Sequence, residues 1–327
     1  MDPNTVDMSI KDLLKSSAFM MMAAMIVALV TNLVGWFPSE LTPSIRSDLT
    51  IWTLVVMLTI SLSRIPYKNL NPLEHKGSVL RAVILGLVIS SVIPLAGYYL
   101  LKDTEFGNQA AGLIFIAATP FAASVAPLSY ILRGDMEHAA RGTIIVYIVS
   151  LAWIPFIIWM TLGESVDMTD VAIIVLKLLA IPLIVSRLLT KLEINKDLMG
   201  IFLNMCIFFM VWLSVGATNF KGIPVWVFIA FAVIAALRSF GLGGAVEAVE
   251  KRSGIHWSQR VTDILMASYK NKGIAIALCT SGILGPITGD AMVAIATSIL
   301  VEITWVAFMD SVLFSRKRME RELASEV

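Results

Sequence analysis

Charge is scarce in this chain: only 15% of its 327 residues are Asp, Glu, Lys or Arg, against about 25% in a soluble globular domain. Cysteine and histidine are scarcer still, two and three residues. Each shortage excludes something. Cys206 and Cys279 both lie in apolar runs, supply no disulfide framework, and read as small buried hydrophobes. His75, His138 and His256 read as polar-loop residues, so no histidine cluster in an apolar segment offers itself to a metal. No cofactor is called for, and a net charge of +1 gives no footing for a nucleic-acid partner.

Apolar residues are what the chain has in excess, 57% of the total with a mean hydropathy of +0.83. A water-soluble fold of this length has too little polar surface to cover such a core, and the expected partner is a lipid bilayer. Spanning helices need about 20 mostly apolar residues. The chain reads as ten such segments, at 14–36, 47–63, 78–101, 110–132, 142–162, 168–188, 199–219, 223–240, 261–282 and 286–314. The first follows Lys11, Asp12 and Lys15 but is too long for a signal peptide and has no small-residue cleavage pattern, so it reads as a retained helix.

Basic residues orient the segments, because cytoplasmic joints keep Lys and Arg. With the N-terminus inside, nineteen of the 25 fall in inside joints, Arg238 among them, and three outside, at Arg46, Lys102 and Lys221. Both termini are therefore expected in the cytoplasm of a cell-membrane protein. Lys177, Lys270 and Lys272 remain, all within spans.

Ten spans divide into halves of five, residues 1–162 and 163–327. An odd number per half forces the second to enter from the opposite side, the inverted repeat common in secondary transporters. The fourth span is interrupted by Ala118-Thr119-Pro120-Phe121-Ala122-Ala123-Ser124-Val125-Ala126-Pro127, where two prolines remove amide donors. The ninth is interrupted by Ser268-Tyr269-Lys270-Asn271-Lys272-Gly273. Backbone freed at that depth must line a cavity or be covered by protein. The two breaks occupy matching places in their halves, as two discontinuous helices meeting at a midplane site would. Plain proline kinks and snorkelling lysines are the bland alternatives. Glu302 is the one carboxylate well inside an apolar run, and a pair with one of the lysines would ease the burial of both.

Residues Pro120 to Asp135, P-F-A-A-S-V-A-P-L-S-Y-I-L-R-G-D, resemble the fourth-span segment of the bile acid:sodium symporter family. Lys270 to Ala275, K-N-K-G-I-A, is similar to that family's ninth-span Gln-Asn-x-Gly-Leu-Ala, and the stretch around Glu302 is similar to the related arsenite permeases. The resemblance implies an all-α polytopic fold of ten helices in two inverted five-helix repeats, with crossing broken helices in spans 4 and 9. It further implies a core of spans 3–5 and 8–10 and a panel of spans 1, 2, 6 and 7. It also implies sodium ligands that this chain lacks. The family's Ser-Asn pair falls at Val125 and Ala126, its ninth-span glutamate at Met266 and its glutamine at Lys270; Thr143 alone matches as an oxygen donor. Hard cations need several oxygen ligands.

The function expected is therefore secondary transport of an anionic small molecule by alternating access, without sodium, an intramembrane lysine replacing the cation. Candidate substrate contacts are Thr119, Pro120, Ser124, Pro127, Asn271 and Lys272; Lys270, Glu302 and Thr143 are candidates for charge replacement or coupling. Protons stay open as coupling ion, and nothing fixes the oligomeric state. Arsenite or metalloid efflux is the alternative, against which residues 110–133 hold no cysteine. A channel finds no ring of selectivity groups. From another class, a membrane-embedded enzyme or sensor finds no Ser/His/Asp or metal-ligand spacing, and the chain is expected not to be an enzyme. Gly241-Leu242-Gly243-Gly244 follows a membrane helix rather than a strand and reads as part of a helical continuation along 245–253, not as a phosphate loop.

Overall fold

Short polar residues start most of the helices. A computed structural model describes residues 13–14, 16–65, 74–191 and 195–325; Lys11, Asp12 and Lys15, named above at the head of the first span, and Lys68, one of the basic residues counted inside, lie outside them. The Ser16 hydroxyl caps α1 (Ser17–Val34), which Gly35 ends in a left-handed turn at φ 72°. Thr42 caps α2 (Pro43–Ser63), with Pro43 at the first position, where its missing N–H costs nothing. Asp135 caps α6 (Met136–Leu162), and Asp167 caps α7 (Met168–Leu188). The remaining long helices are α3 (Lys76–Leu101), α8 (Lys196–Val215), α9 (Val225–Arg252) and α12 (Gly285–Leu313). The fourth and ninth expected spans are each two pieces: α4 (Gly112–Ala118) and α5 (Val125–Ile131), then α10 (Trp257–Ser268) and α11 (Lys272–Thr280). A last helix, α13 (Arg316–Ser325), is strongly polar.

Among the described residues seven of the expected spans, α2, α3, α6, α7, α8, α9 and α12, are helices long and apolar enough to cross a membrane. The chain is an integral membrane protein. Among the described residues there is no strand, only one isolated bridge.

The eighth segment corrects the sequence reading. Expected to end at residue 240, it continues through the glycines as one helix of 28 residues, Val225–Arg252. Arg238, assigned to a cytoplasmic joint, therefore sits in mid-helix and is 1% exposed. His138, assigned to a loop, is likewise helical and buried. Cys206 and Cys279 are buried and unbridged.

Two sets of helices are visible in the packing. α1 lies along α8, and α2 along α7 and α8; α9 packs on α12, and α3 on α4 and α6. α11 is wedged between α2, α4 and α12. Lipid offers no hydrophobic drive between helices, so close packing must hold them. The α4–α12 contact shows how close: a Cβ on Gly112 would lie 2.0 Å from the Ala291 carbonyl oxygen. Helices α3, α7, α9 and α12 each widen into π turns, at Ile84–Ile89, Leu176–Ala180, Leu237–Gly241 and Met309–Leu313. Such bulges concentrate at functional sites, and the first and third supply Gly86 and Arg238 below.

Candidate functional site: a crossing of two broken helices

The two interruptions meet. Phe121 and Lys270 form an antiparallel bridge, in which the Ala122 N–H donates to the Tyr269 carbonyl at 3.0 Å and the Asn271 N–H to the Pro120 carbonyl at 2.8 Å. Backbone groups that the prolines and the Lys-Asn-Lys run release thus satisfy each other, which makes the breaks tolerable at this depth. Asn271 then restarts the helix, its Oδ1 accepting from the Ile274 N–H at 3.0 Å, while its Nδ2 donates to the Tyr147 hydroxyl at 2.7 Å.

Lys270 is 1% exposed. Its ammonium donates to the Thr119 carbonyl at 2.5 Å and the Ala117 carbonyl at 3.1 Å, with the Gly86 carbonyl and the Ser91 hydroxyl each at 3.4 Å. The first two acceptors lie at the C-terminal end of α4, where carbonyls lack helical partners and the helix dipole is negative; the other two come from α3. The side chain is a cation bound by oxygens, tethered through its own backbone.

Glu302 on α12 gathers the other charges. Its Oε1 accepts from Arg238 at 2.7 Å and from the Lys270 backbone N–H at 3.2 Å; its Oε2 is 3.4 Å from the Lys272 ammonium, an ion pair without hydrogen-bond alignment. The Arg238 fork also donates to the Ser268 carbonyl at 2.9 Å and the Ser239 hydroxyl at 2.8 Å. Trp305 donates to the Ser268 hydroxyl at 3.0 Å, fixing that end of α10. Arg238 and Lys272 pair with this one carboxylate while the Lys270 side chain turns to the α3 and α4 oxygens, so the crossing carries a formal excess of positive charge in a place of low dielectric.

Of the candidate residues, the structure brings together Lys270, Lys272, Asn271 and Glu302, with Thr119 and Pro120 entering through their carbonyls. Ser124 is half-buried at the turn into α5, and Pro127 faces outward; a residue seven positions beyond Pro120 and inside the new helix has left the crossing. Thr143 is buried, but its hydroxyl donates to Ala139 in its own helix at 2.8 Å. Lys177 is exposed on the outer face of α7. Val125, Ala126 and Met266, where the resemblance puts sodium ligands, are buried and bring no side-chain oxygen. Arg238 is the main residue that sequence reasoning missed.

A cavity of about 510 Å³ opens beside this arrangement, at the far end of α11 from Lys272. It lies between α2, α8, α11 and α12 and carries Arg46, Asp48 and the hydroxyls of Ser47, Thr50, Ser214 and Thr280. α11 spans the interval, about 12 Å from Lys272 to Thr280.

A second polar cluster sits at the opposite end of the bundle. Asp263 accepts from Arg81 at 3.1 Å and meets His138 Nε2 at 2.8 Å, and His138 Nδ1 meets the Ser78 hydroxyl at 2.5 Å. The absence of a Ser/His/Asp arrangement, expected from spacing, is corrected here. Folding assembles one from α3, α6 and α10. The Arg141 guanidinium donates to the same Ser78 oxygen at 2.9 Å.

No curated protein matches the chain. Residues 50–235, more than half of it, match the profile of the Sodium Bile acid symporter family. The match takes in the first break and the Tyr147–Thr143 face of α6, and the chain belongs to the Sodium Bile acid symporter family, a family of membrane transporters.

Proposed function

We propose that the chain is a secondary carrier of an organic anion that works without sodium, with the Lys270 ammonium in the place of the cation. One observation carries this reading: the Lys270 Nζ sits among Thr119, Ala117 and Gly86 carbonyls and the Ser91 hydroxyl, an all-acceptor surround of the kind a bound cation takes, while the family's sodium positions hold Val125, Ala126 and Met266. The excess positive charge around Glu302 favours an anion near Lys272, whose ammonium has a single, poorly aligned partner. The neighbouring cavity has the size of a small-molecule site and lies between the two packed helix sets.

In this reading ten spans form two inverted five-helix repeats, residues 1–162 and 163–327, with both termini cytoplasmic. The core of spans 3–5 and 8–10 moves against the panel of spans 1, 2, 6 and 7. The transported solute meets Lys272 and Asn271 after entering through the cavity. Purified protein in proteoliposomes tests this with taurocholate and simple organic carboxylates as probes. Uptake is expected to be equal in sodium and potassium buffers and to fall by about tenfold or more in Lys272→Met, the loss of a charge-assisted contact of about 1.5–3 kcal/mol. Uptake that requires sodium refutes the proposal.

A further inference from the structure

A cation fixed by a peptide bond cannot be released with each cycle, so a driven carrier of this kind needs another mobile charge. Among the described residues, the second cluster holds one. Glu250, on the last turn of α9, is 8% exposed. Its Oε2 receives no donor, and its carboxyl lies within hydrogen-bonding reach of Asp263. Two carboxyls hydrogen-bond only if one carries a proton, and like charges this close do not both ionise readily.

The surrounding charges explain why the proton sits between these two. From α3, Arg81 is committed to Asp263; from α6, His138 holds the same carboxylate and Arg141 is turned to Ser78 and, at 4.0 Å, to the exposed Glu137. From α9 and α10, Glu247 and Arg260 pair with each other at 3.5 Å. From α13, Arg318 bonds Glu247, and Glu322 takes Arg260 at 3.0 Å and Lys251 at 2.5 Å. Nearby cations thus have other carboxylates, and Glu250 has a carboxyl neighbour. A proton arriving from water at Glu250 is shared with Asp263 across this contact, the O–H bond formed on one carboxyl matching the one broken on the other.

We propose that Glu250 and Asp263 form a proton-binding site, and that its proton is the coupling ion of the carrier. The first clause stands on this cluster alone; the second rests on the transport reading above. Infrared difference spectra of the purified full-length protein, recorded as pH is stepped, test the first. A protonated-carboxyl band at neutral pH is expected in the wild type, absent in Glu250→Gln and restored, shifted, in Glu250→Asp, with unchanged melting temperature and monodisperse elution as the check on folding. A wild type without the band, or a band that survives Glu250→Gln and disappears in Glu302→Gln, overturns the site. Taurocholate uptake under an inward gradient of one pH unit tests the second: one coupled proton multiplies accumulation by about tenfold, and Glu250→Gln loses that factor. A gradient response retained in Glu250→Gln overturns the coupling. The band present with no uptake in any buffer leaves the proton site supported and counts against the transport reading.

Discussion

Removing the Glu302 charge is the sharpest perturbation of the crossing. In Glu302→Gln the amide oxygen keeps a lone pair for Arg238 and for the Lys270 N–H, so shape and two hydrogen bonds survive while the charge goes. The interactions lost are with Arg238 at 2.7 Å and Lys272 at 3.4 Å. At an effective dielectric of about 20 these amount to about 6 and 5 kcal/mol before desolvation. Relief of the buried carboxylate's own desolvation returns several of these, and breaking a buried ion pair by taking one partner has a net cost of about 3–5 kcal/mol. Unfolding by SDS titration in mixed micelles reads the difference directly. The double replacement Arg238→Met/Glu302→Met removes a cation together with the carboxylate and is expected to be less destabilising than the sum of Arg238→Met and Glu302→Met, because no single member is stranded. A Glu302→Gln protein within about 1 kcal/mol of wild type, or strict additivity in the cycle, refutes the view that these charges are held as a unit.

Arg238→Lys preserves the charge but not the fork that spans Ser268, Ser239 and Glu302, and it is expected to lose most of the binding seen by thermal shift, behaving more like Arg238→Met than like wild type. Lys270→Ala and Lys272→Ala are expected to abolish ligand-induced thermal shifts, whereas Lys177→Ala, on the outer face, leaves them unchanged; equal small effects in all three contradict the assignment. Gly112→Val forces a side chain into the Ala291 carbonyl and is expected to lower stability by about 3 kcal/mol or more, the upper end of overpacking costs, in the same SDS titration. Burial works against the charge of Glu322, but hydrogen bonds from Lys251 and Arg260 outweigh it and hold the carboxyl below its ordinary value. Its contribution to α13 docking is therefore complete above about pH 4.3, the unfolded value, and is lost as pH falls through the lower folded one. Hydrogen exchange of α13 is expected to accelerate on acidification in the wild type and to be fast at all pH values in Glu322→Gln.

The helical architecture is readable from hydropathy because lipid imposes one rule on every span. Both breaks are readable too: prolines at 120 and 127 and ammonium groups at 270 and 272 are anomalies against an apolar background. What hides Arg238 is that background's edge. It stands just before a glycine run where a span of ordinary length would stop, and only the helix's continuation to Arg252 shows it to be central. His138 and Glu250 are hidden similarly, in helical ends that extend past the apolar stretch, and nothing in their spacing announces that α3, α6, α9 and α10 converge there. Pro127 errs the other way, since its likeness to Pro120 says nothing of which side of a restarted helix it faces.

The tether on Lys270 has an electrical consequence. A carrier that sheds its cation at the end of every turnover returns empty and less charged, so the membrane potential acts chiefly on the loaded stroke. In the carrier proposed above the ammonium stays aboard in both directions. Each full elementary charge crossing 100 mV exchanges about 2.3 kcal/mol with the field; in that cycle a monovalent anion in transit cancels the lysine's charge and a co-transported proton restores it, so the field acts on the loaded and the empty stroke alike. Over a full turn the lysine's contribution cancels, and the net movement of anion plus proton is electroneutral.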